Sequence, residues 1–185
     1  MIEEALLEGE EMMEKALGAL RNEFSKIRSG RANPELFSSL MVDYYGAPTP
    51  MQQIASVTVP EARTVIITPY DRSAMKDIEK AIRDADLGVN PTDDGQVLRI
   101  NLPALTEERR KEYVKLARSK AEDSKISIRS ARRKAKDALE RIKKDGEAGE
   151  DDVDRAEKEL EALTKKFTEQ ADVLLEGKEK DLMEI

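Results

Sequence analysis

The sequence of 185 residues predicts an α+β protein: an elongated three-helix bundle interrupted by a small inserted β/α/β domain. Three observations predict it. Apolar residues recur at heptad spacing along three long stretches, and all seven prolines lie between residues 34 and 103, outside those stretches. The chain is 38% charged but only 4% aromatic, with no tryptophan. A thick core needs more large apolar side chains than this, whereas long helices need only a narrow apolar seam.

The first helix is marked by Leu6, Met13, Leu20 and Ile27, seven residues apart, with Leu17 and Phe24 beside them. Residues 31–105 then change texture. Short β-branched runs, Leu40–Tyr45, Ile54–Val59, Arg63–Thr68 and Val97–Leu102, lie between the prolines and predict strands. Asp71 to Asp86 predicts one amphipathic helix, with Asp71 as N-cap and Ala74, Ile78, Ala81, Ile82 and Ala85 inward. Tyr44 and Tyr45 fall in a β-run, which directs one ring to the core and the other to solvent.

The second long helix carries a seam of Val114, Ala117, Ala121, Ser124, Ile128, Ala131, Ala135, Ala138 and Ile142. At about 1.5 Å per residue it runs on the order of 60 Å. Thr106 is placed to cap it, Glu107 and Glu108 suit its positive end, and Gly146 is placed to close it. The third helix opens on Glu150-Asp151-Asp152 and repeats Val153, Ala156, Leu160, Leu163, Phe167 and Leu174. Heptad seams of this kind supercoil around one another.

The bundle therefore takes residues 1–30 and 106–185, and the insertion takes 31–105. Two crossings join them, Ser29-Gly30-Arg31 and Pro103-Ala104-Leu105. They predict a hinge with variable interdomain angles, Gly30 supplying backbone freedom and Pro103 stiffness.

Several chemistries are excluded. With no cysteine and no histidine, the chain has no disulfide, no thiolate metal ligand and no imidazole base. Gly146 and Gly149 do not form a phosphate loop, and Glu150–Asp154 lacks calcium-loop spacing. No catalytic residue, metal or cofactor is expected. The acidic Met1-Ile2-Glu3-Glu4 start is not a secretory signal, and Val65-Ile66-Ile67 is too short to span a bilayer. A cytoplasmic protein with no membrane partner is expected.

The net charge of −7 argues against an anionic partner, but its distribution does not. Residues 106–145 carry 15 basic and 8 acidic side chains, and residues 146–185 carry 6 and 14. With Val114 as heptad position a, Lys111, Lys115, Arg118, Lys125, Arg129, Arg132, Lys136 and Lys143 fall at b and e. Lys125, Arg129, Arg132 and Lys136 share one face. A line of cations on a rod suits RNA phosphates, and arginine forks suit them best. The alternative is ordinary: seam-flanking charges pair with the acidic third helix. A coiled-coil adaptor for protein partners and a carboxylate- or lysine-based enzyme also stay open on charge pattern alone.

Five segments narrow the choice. Arg28-Ser29-Gly30-Arg31-Ala32, Asp43-Tyr44-Tyr45-Gly46 with Pro48-Thr49-Pro50, and Asp86-Leu87-Gly88 with Asn90-Pro91 resemble signature segments of bacterial ribosome recycling factors. So do Leu105-Thr106-Glu107-Glu108-Arg109-Arg110-Lys111 and Arg129-Ser130-Ala131-Arg132-Arg133. The resemblance covers the whole chain in order. It implies an L-shaped protein, a three-helix bundle carrying a hinged β/α/β domain. The implied activity is disassembly of the post-termination ribosome with elongation factor G, whose GTP hydrolysis drives subunit separation. It implies that Arg132 and Arg129 contact large-subunit ribosomal RNA, joined by Arg110, Arg28 and Arg31 near the hinge. Lys125 and Arg118 extend the row by their place in the stripe, and a monomer is expected.

Overall fold

A computed structural model describes residues Met1–Glu184. Three long helices dominate: α1 (Ile2–Lys26), α5 (Glu107–Lys144) and α6 (Glu150–Met183). Between α1 and α5 lie α2 (Glu35–Ser38), α3 (Met51–Ile54), α4 (Met75–Asp84) and six short strands. The chain divides into two compact units. One holds Met1–Ile27 and Lys111–Lys180; the other holds Arg28–Arg110 and residues 181–184.

In the first unit the seams pack as a bundle, with the expected lines kept except at single positions, among them Val114, which is only half-buried. On α1 the buried line is Ala5, Gly9, Met13, Leu17, Leu20 and Phe24, and Leu6 sits only half-buried at its side. The small residues are needed there. A Cβ at Gly9 would stand 3.1 Å from the Ala135 Cβ on α5 and 3.8 Å from the Leu160 Cδ1 on α6. On α5 the seam runs through Ala135, Leu139 and Ile142, so Leu139 replaces the expected Ala138. On α6 Thr164 is buried where Leu163 was expected, its hydroxyl donating to the Leu160 carbonyl at 2.8 Å. Leu163 and Leu174 are only half-buried. Ser124, the polar residue in the α5 seam, donates to the Ala16 carbonyl of α1 at 3.2 Å, which satisfies it.

The helix ends are built as their residues dictate. Thr106 Oγ1 accepts the Arg109 N–H at 3.1 Å, an N-cap. At the other end Gly146 takes φ +67°, Glu147 N–H donates to Ile142 O, and Gly146 N–H donates to Lys143 O. Those two bonds close α5 in a Schellman motif, which a β-carbon at that φ would strain.

The second unit holds a four-stranded antiparallel sheet and a hairpin. The sheet order is β3 (Ala55–Glu61), β4 (Thr64–Pro69), β6 (Leu98–Asn101), β5 (Pro91–Asp93). The hairpin pairs β1 (Met41–Tyr44) with β2 (Ala47–Pro50). The core of this unit includes Phe37, Val42, Met51, Val65, Ile67, Ile78, Ile82, Leu98 and Ile100. Two strands, β2 and β5, were absent from the sequence expectation because each contains proline. Both stand where proline is tolerated, β5 at the sheet edge and β2 paired only with β1. The one-turn helices α2 and α3 are too short to show periodicity.

The tyrosine rings divide as expected, Tyr44 packed against the core and Tyr45 exposed, but strand alternation is not the cause. Tyr45 is not in the strand but in a two-residue turn with Gly46, at φ +50° and +80° respectively, as a type I′ hairpin requires. Its ring lies edge-on to Tyr44 with centroids 4.5 Å apart. The Tyr45 and Tyr44 hydroxyls point at Asp71 Oδ2, at 3.2 and 3.5 Å. Asp71 caps a 3-10 turn (Arg72–Ala74) ahead of α4, accepting the Ser73 N–H at 3.0 Å and its hydroxyl at 2.8 Å. The single helix expected from Asp71 to Asp86 is thus a 3-10 turn followed by a shorter α-helix.

These bonds, first from the Ser73 backbone, then from its hydroxyl and the tyrosines, hold the Asp71 carboxyl below the ordinary aspartate range. A depressed pKa stabilises the fold above the unfolded value, and that contribution disappears as pH falls through the folded one. Asp71→Ala is therefore expected to lower the melting temperature at neutral pH and to leave it less sensitive to acidification below about pH 4. Thermal melts followed across an acid pH series check this; an unchanged acid slope counts against it.

Candidate nucleic-acid interface

The basic stripe is organised by the seam. About 100° of helix separates successive residues, so Arg118, Lys125 and Arg132, seven apart, form a slowly drifting row beside the buried line. Each meets a carboxylate of α6. Arg118 Nε donates to Glu179 Oε1 at 2.6 Å, Lys125 Nζ pairs with Asp172 Oδ1, and Arg132 donates to Glu161 Oε1 at 3.1 Å. Lys143 extends the row, 3.3 Å from Glu150 and 3.6 Å from Asp154. The hydrogen bond and charge of Glu179 raise the Arg118 pKa, and Glu150 with Asp154 raises that of Lys143, so both cations are held. These are antiparallel rungs between two helices of opposite charge.

Arg129 lies elsewhere. It is about 60° round from Arg132 and pairs within its own helix, with Glu122 at 3.4 Å. Arg133 is fully on the outer face, and it and half-buried Lys136 have no ion pair among the described residues. The sequence reading named the row that contains Arg132 but gave Arg133 no role beyond its motif. The helix angle measured from Ser124, about 180°, is the signal that marks it as outward.

Three further candidates, Arg28, Arg31 and Arg110, belong to the second unit. Arg28 donates to the Pro103 carbonyl, which ties the entrance of the unit to its exit. Arg31 pairs with Glu184 at 3.1 Å, and Arg31, Arg110 and Glu184 line one recess of about 570 Å³. The Nε atoms of Arg28 and Arg110 are buried without a hydrogen-bond partner. The crossing residues are more tightly placed than free backbone rotation suggests. A Cβ on Gly30 would come 3.1 Å from the Glu184 carbonyl oxygen, so glycine there answers a close approach and not a positive φ. Ser29 Oγ donates to Arg31 O at 3.3 Å, Leu105 is buried, and Ala104 is exposed. The C-cap of α1 is Ile27, and Lys178 Nζ donates to the Ile27 carbonyl at 2.8 Å.

The described residues contain no cluster of three or more acidic side chains able to hold a metal ion. No described helix is long and apolar enough to cross a membrane.

Comparison with known proteins points one way. Residues 20–183 match the family model described as ribosome recycling factor. The chain is 61% identical to the ribosome-recycling factor of Kineococcus radiotolerans and 60% identical to that of Renibacterium salmoninarum, each across the full length of both chains. Its fold is similar to a solution structure of a ribosome recycling factor, with a TM-score of 0.82 and 38% identity, covering 100% of this chain and 98% of that one. A second similar structure, at TM-score 0.70 and 44% identity with full coverage of both chains, is described as models for the T. thermophilus ribosome recycling factor and the E. coli elongation factor G bound to the E. coli post-termination complex. Matched from end to end in sequence and in fold, the chain belongs to the ribosome recycling factor family.

Proposed function

We propose that this protein disassembles the post-termination ribosome together with elongation factor G, with α5 laid along large-subunit ribosomal RNA. Like its family it is a translation factor and catalyses no bond chemistry. The observation that carries the RNA reading is the row of cations on α5, whose 38 residues span about 57 Å. Surface ion pairs such as those with α6 are worth only about 0–1 kcal/mol each, so phosphates can displace them. Arginine then makes a charge-assisted, two-pronged bond. Arg132 and Arg129 are the principal contacts, with Lys125 and Arg118 along the row and Arg110, Arg28 and Arg31 near the crossing. The partner assignment is supported by the similar factor described together with elongation factor G.

In this reading the helical rod is pinned, and the two crossings at residues 29–31 and 103–105 act as a hinge. Force applied by elongation factor G to the α/β unit becomes a lever on the bridge between subunits. The protein acts as a monomer in the cytoplasm. Sucrose-gradient sedimentation tests the activity. Post-termination ribosomes given elongation factor G and GTP are expected to separate into subunits only when this protein is present. Equal separation without it sinks the assignment.

A further inference from the structure

The α6 carboxylates have a use that the RNA reading alone does not assign. We propose that Glu161, Asp172 and Glu179 are built-in competitors for the α5 cations, and that they make the protein reject RNA that cannot displace them together. The proposal rests on α5 being an RNA-binding helix, and it deepens that reading from affinity to specificity.

Two groups of cations on α5 have different surroundings. The inner row, Arg118, Lys125 and Arg132, is neutralised rung by rung by α6. The outer positions, Arg129 and Arg133, make no contact with an α6 carboxylate among the described residues. A random RNA duplex touching the helix from outside meets the outer positions first. To reach the inner row it must lie close along α5 and push each carboxylate away, because a phosphate beside a retained carboxylate is repelled. Only a surface shaped to follow the rod does this at several rungs at once.

One partner of each rung is open to water: the carboxylate where the cation is Lys125 or Arg132, themselves 20% and 29% exposed, and the arginine where the carboxylate is Glu179. Side-chain exposure is 60% for Glu161 and 56% for Asp172, so both are open to water and free to swing off their partners. Glu179 is more enclosed at 29%, while its partner Arg118 is 65% exposed and can itself turn outward. The rungs are therefore reversible, not buried locks. The α5 row steps by seven residues, and the α6 carboxylates step back by seven from Glu179 to Asp172 and by eleven from Asp172 to Glu161, nearly whole numbers of turns that keep them on one side of the helix.

Neutralising the competitors gives a sharp signature. In E161Q/D172N/E179Q the inner cations face no carboxylate, so a generic RNA duplex can seat up to three more phosphates against them. The dependence of log affinity on log salt should steepen by about 0.7–0.9 for each additional phosphate bound. Affinity for the duplex should rise at least about tenfold at ~0.1 M salt. Ribosome affinity should rise far less, because the ribosome already displaces the carboxylates, so discrimination falls. Fluorescence anisotropy with a labelled RNA duplex, over a salt series, reads the first two; ribosome pelleting reads the third. Unchanged duplex affinity and salt slope, with only a lower melting temperature, would show rungs that merely brace the helices and would overturn the proposal. The single variant E161Q carries the same test at one rung if the triple variant unfolds at the assay temperature. A separate control, R129E/R133E, addresses the RNA reading itself. Full ribosome affinity in that variant would remove the reading, and this proposal with it, whereas weakened affinity beside an inert triple variant would remove only the proposal.

Discussion

Reversing one rung, R132E together with E161R, is expected to keep the melting temperature within a few degrees of the parent while lowering ribosome affinity about 100-fold. The two effects separate because they draw on different interactions. The interhelical pair is restored with its charges exchanged, and a surface pair is worth only about 0–1 kcal/mol in either direction. The net charge is unchanged, so long-range steering toward a polyanion is kept. What changes is local: a carboxylate stands on α5 where a guanidinium met phosphate. Losing a charge-assisted contact at an interface costs about 2–5 kcal/mol, and each 1.4 kcal/mol is tenfold in affinity. Arg132 on its own would leave doubt, since R132E places a carboxylate against Glu161, 3.1 Å from the present guanidinium. The double exchange removes that repulsion. Retained affinity in the double variant, measured by pelleting with ribosomes, would show that position 132 is a bundle residue and nothing more.

Phe167→Ala is the second large effect, and it falls on stability. Phe167 is 2% exposed and is one of the largest buried side chains in the bundle. An alanine side chain fills little of the vacated space, and close-packed helices relax only in part, so a cavity stays. Truncations of this kind cost about 3–5 kcal/mol, a large share of the roughly 5–15 kcal/mol that holds a domain together. Urea unfolding followed by far-UV circular dichroism, dominated by the long helices, should shift to clearly lower denaturant. Three of the four tyrosines, Tyr44, Tyr45 and Tyr70, lie in the other unit, which has its own core. Their near-UV signal should shift less. Equal shifts in both signals would show that the two units unfold as one.

The fold was legible to the extent that it is periodic. Heptad spacing located α1, α5 and α6, because a helix burying one stripe cannot hide its period. It did not select which of two adjacent residues fills the seam. Leu139 over Ala138 and Thr164 over Leu163 are decided by the neighbouring helices, not by α5 or α6 alone. The proline-bearing strands were missed because an edge position, visible only in the sheet, is what makes proline acceptable there. The cationic row was legible, since residues 118 to 136 are local to one helix. Pairing with the acidic third helix was legible too, but the individual carboxylates were not, because Glu161 and Glu179 lie 29 and 61 residues from the arginines they meet. Tyr45 belonged to a run of β-formers, yet the following glycine turned the chain one residue early.

The bond from Arg28 to the Pro103 carbonyl has a bearing on how the chain assembles during synthesis. Helix α1 emerges first but cannot bury its seam until α5 and α6 follow, after the whole insertion has been made. An unstructured segment of that length would impose a closure entropy and leave an apolar helix waiting in the open. The insertion has its own core and only antiparallel neighbours within its sheets, so it can close as soon as it is complete. In doing so it brings residues 28 and 103 together. A tether of 75 residues is then shortened to one contact, and α5 begins growing close to where α1 ended. The contact thus shortens the loop that separates the first helix of the bundle from the other two.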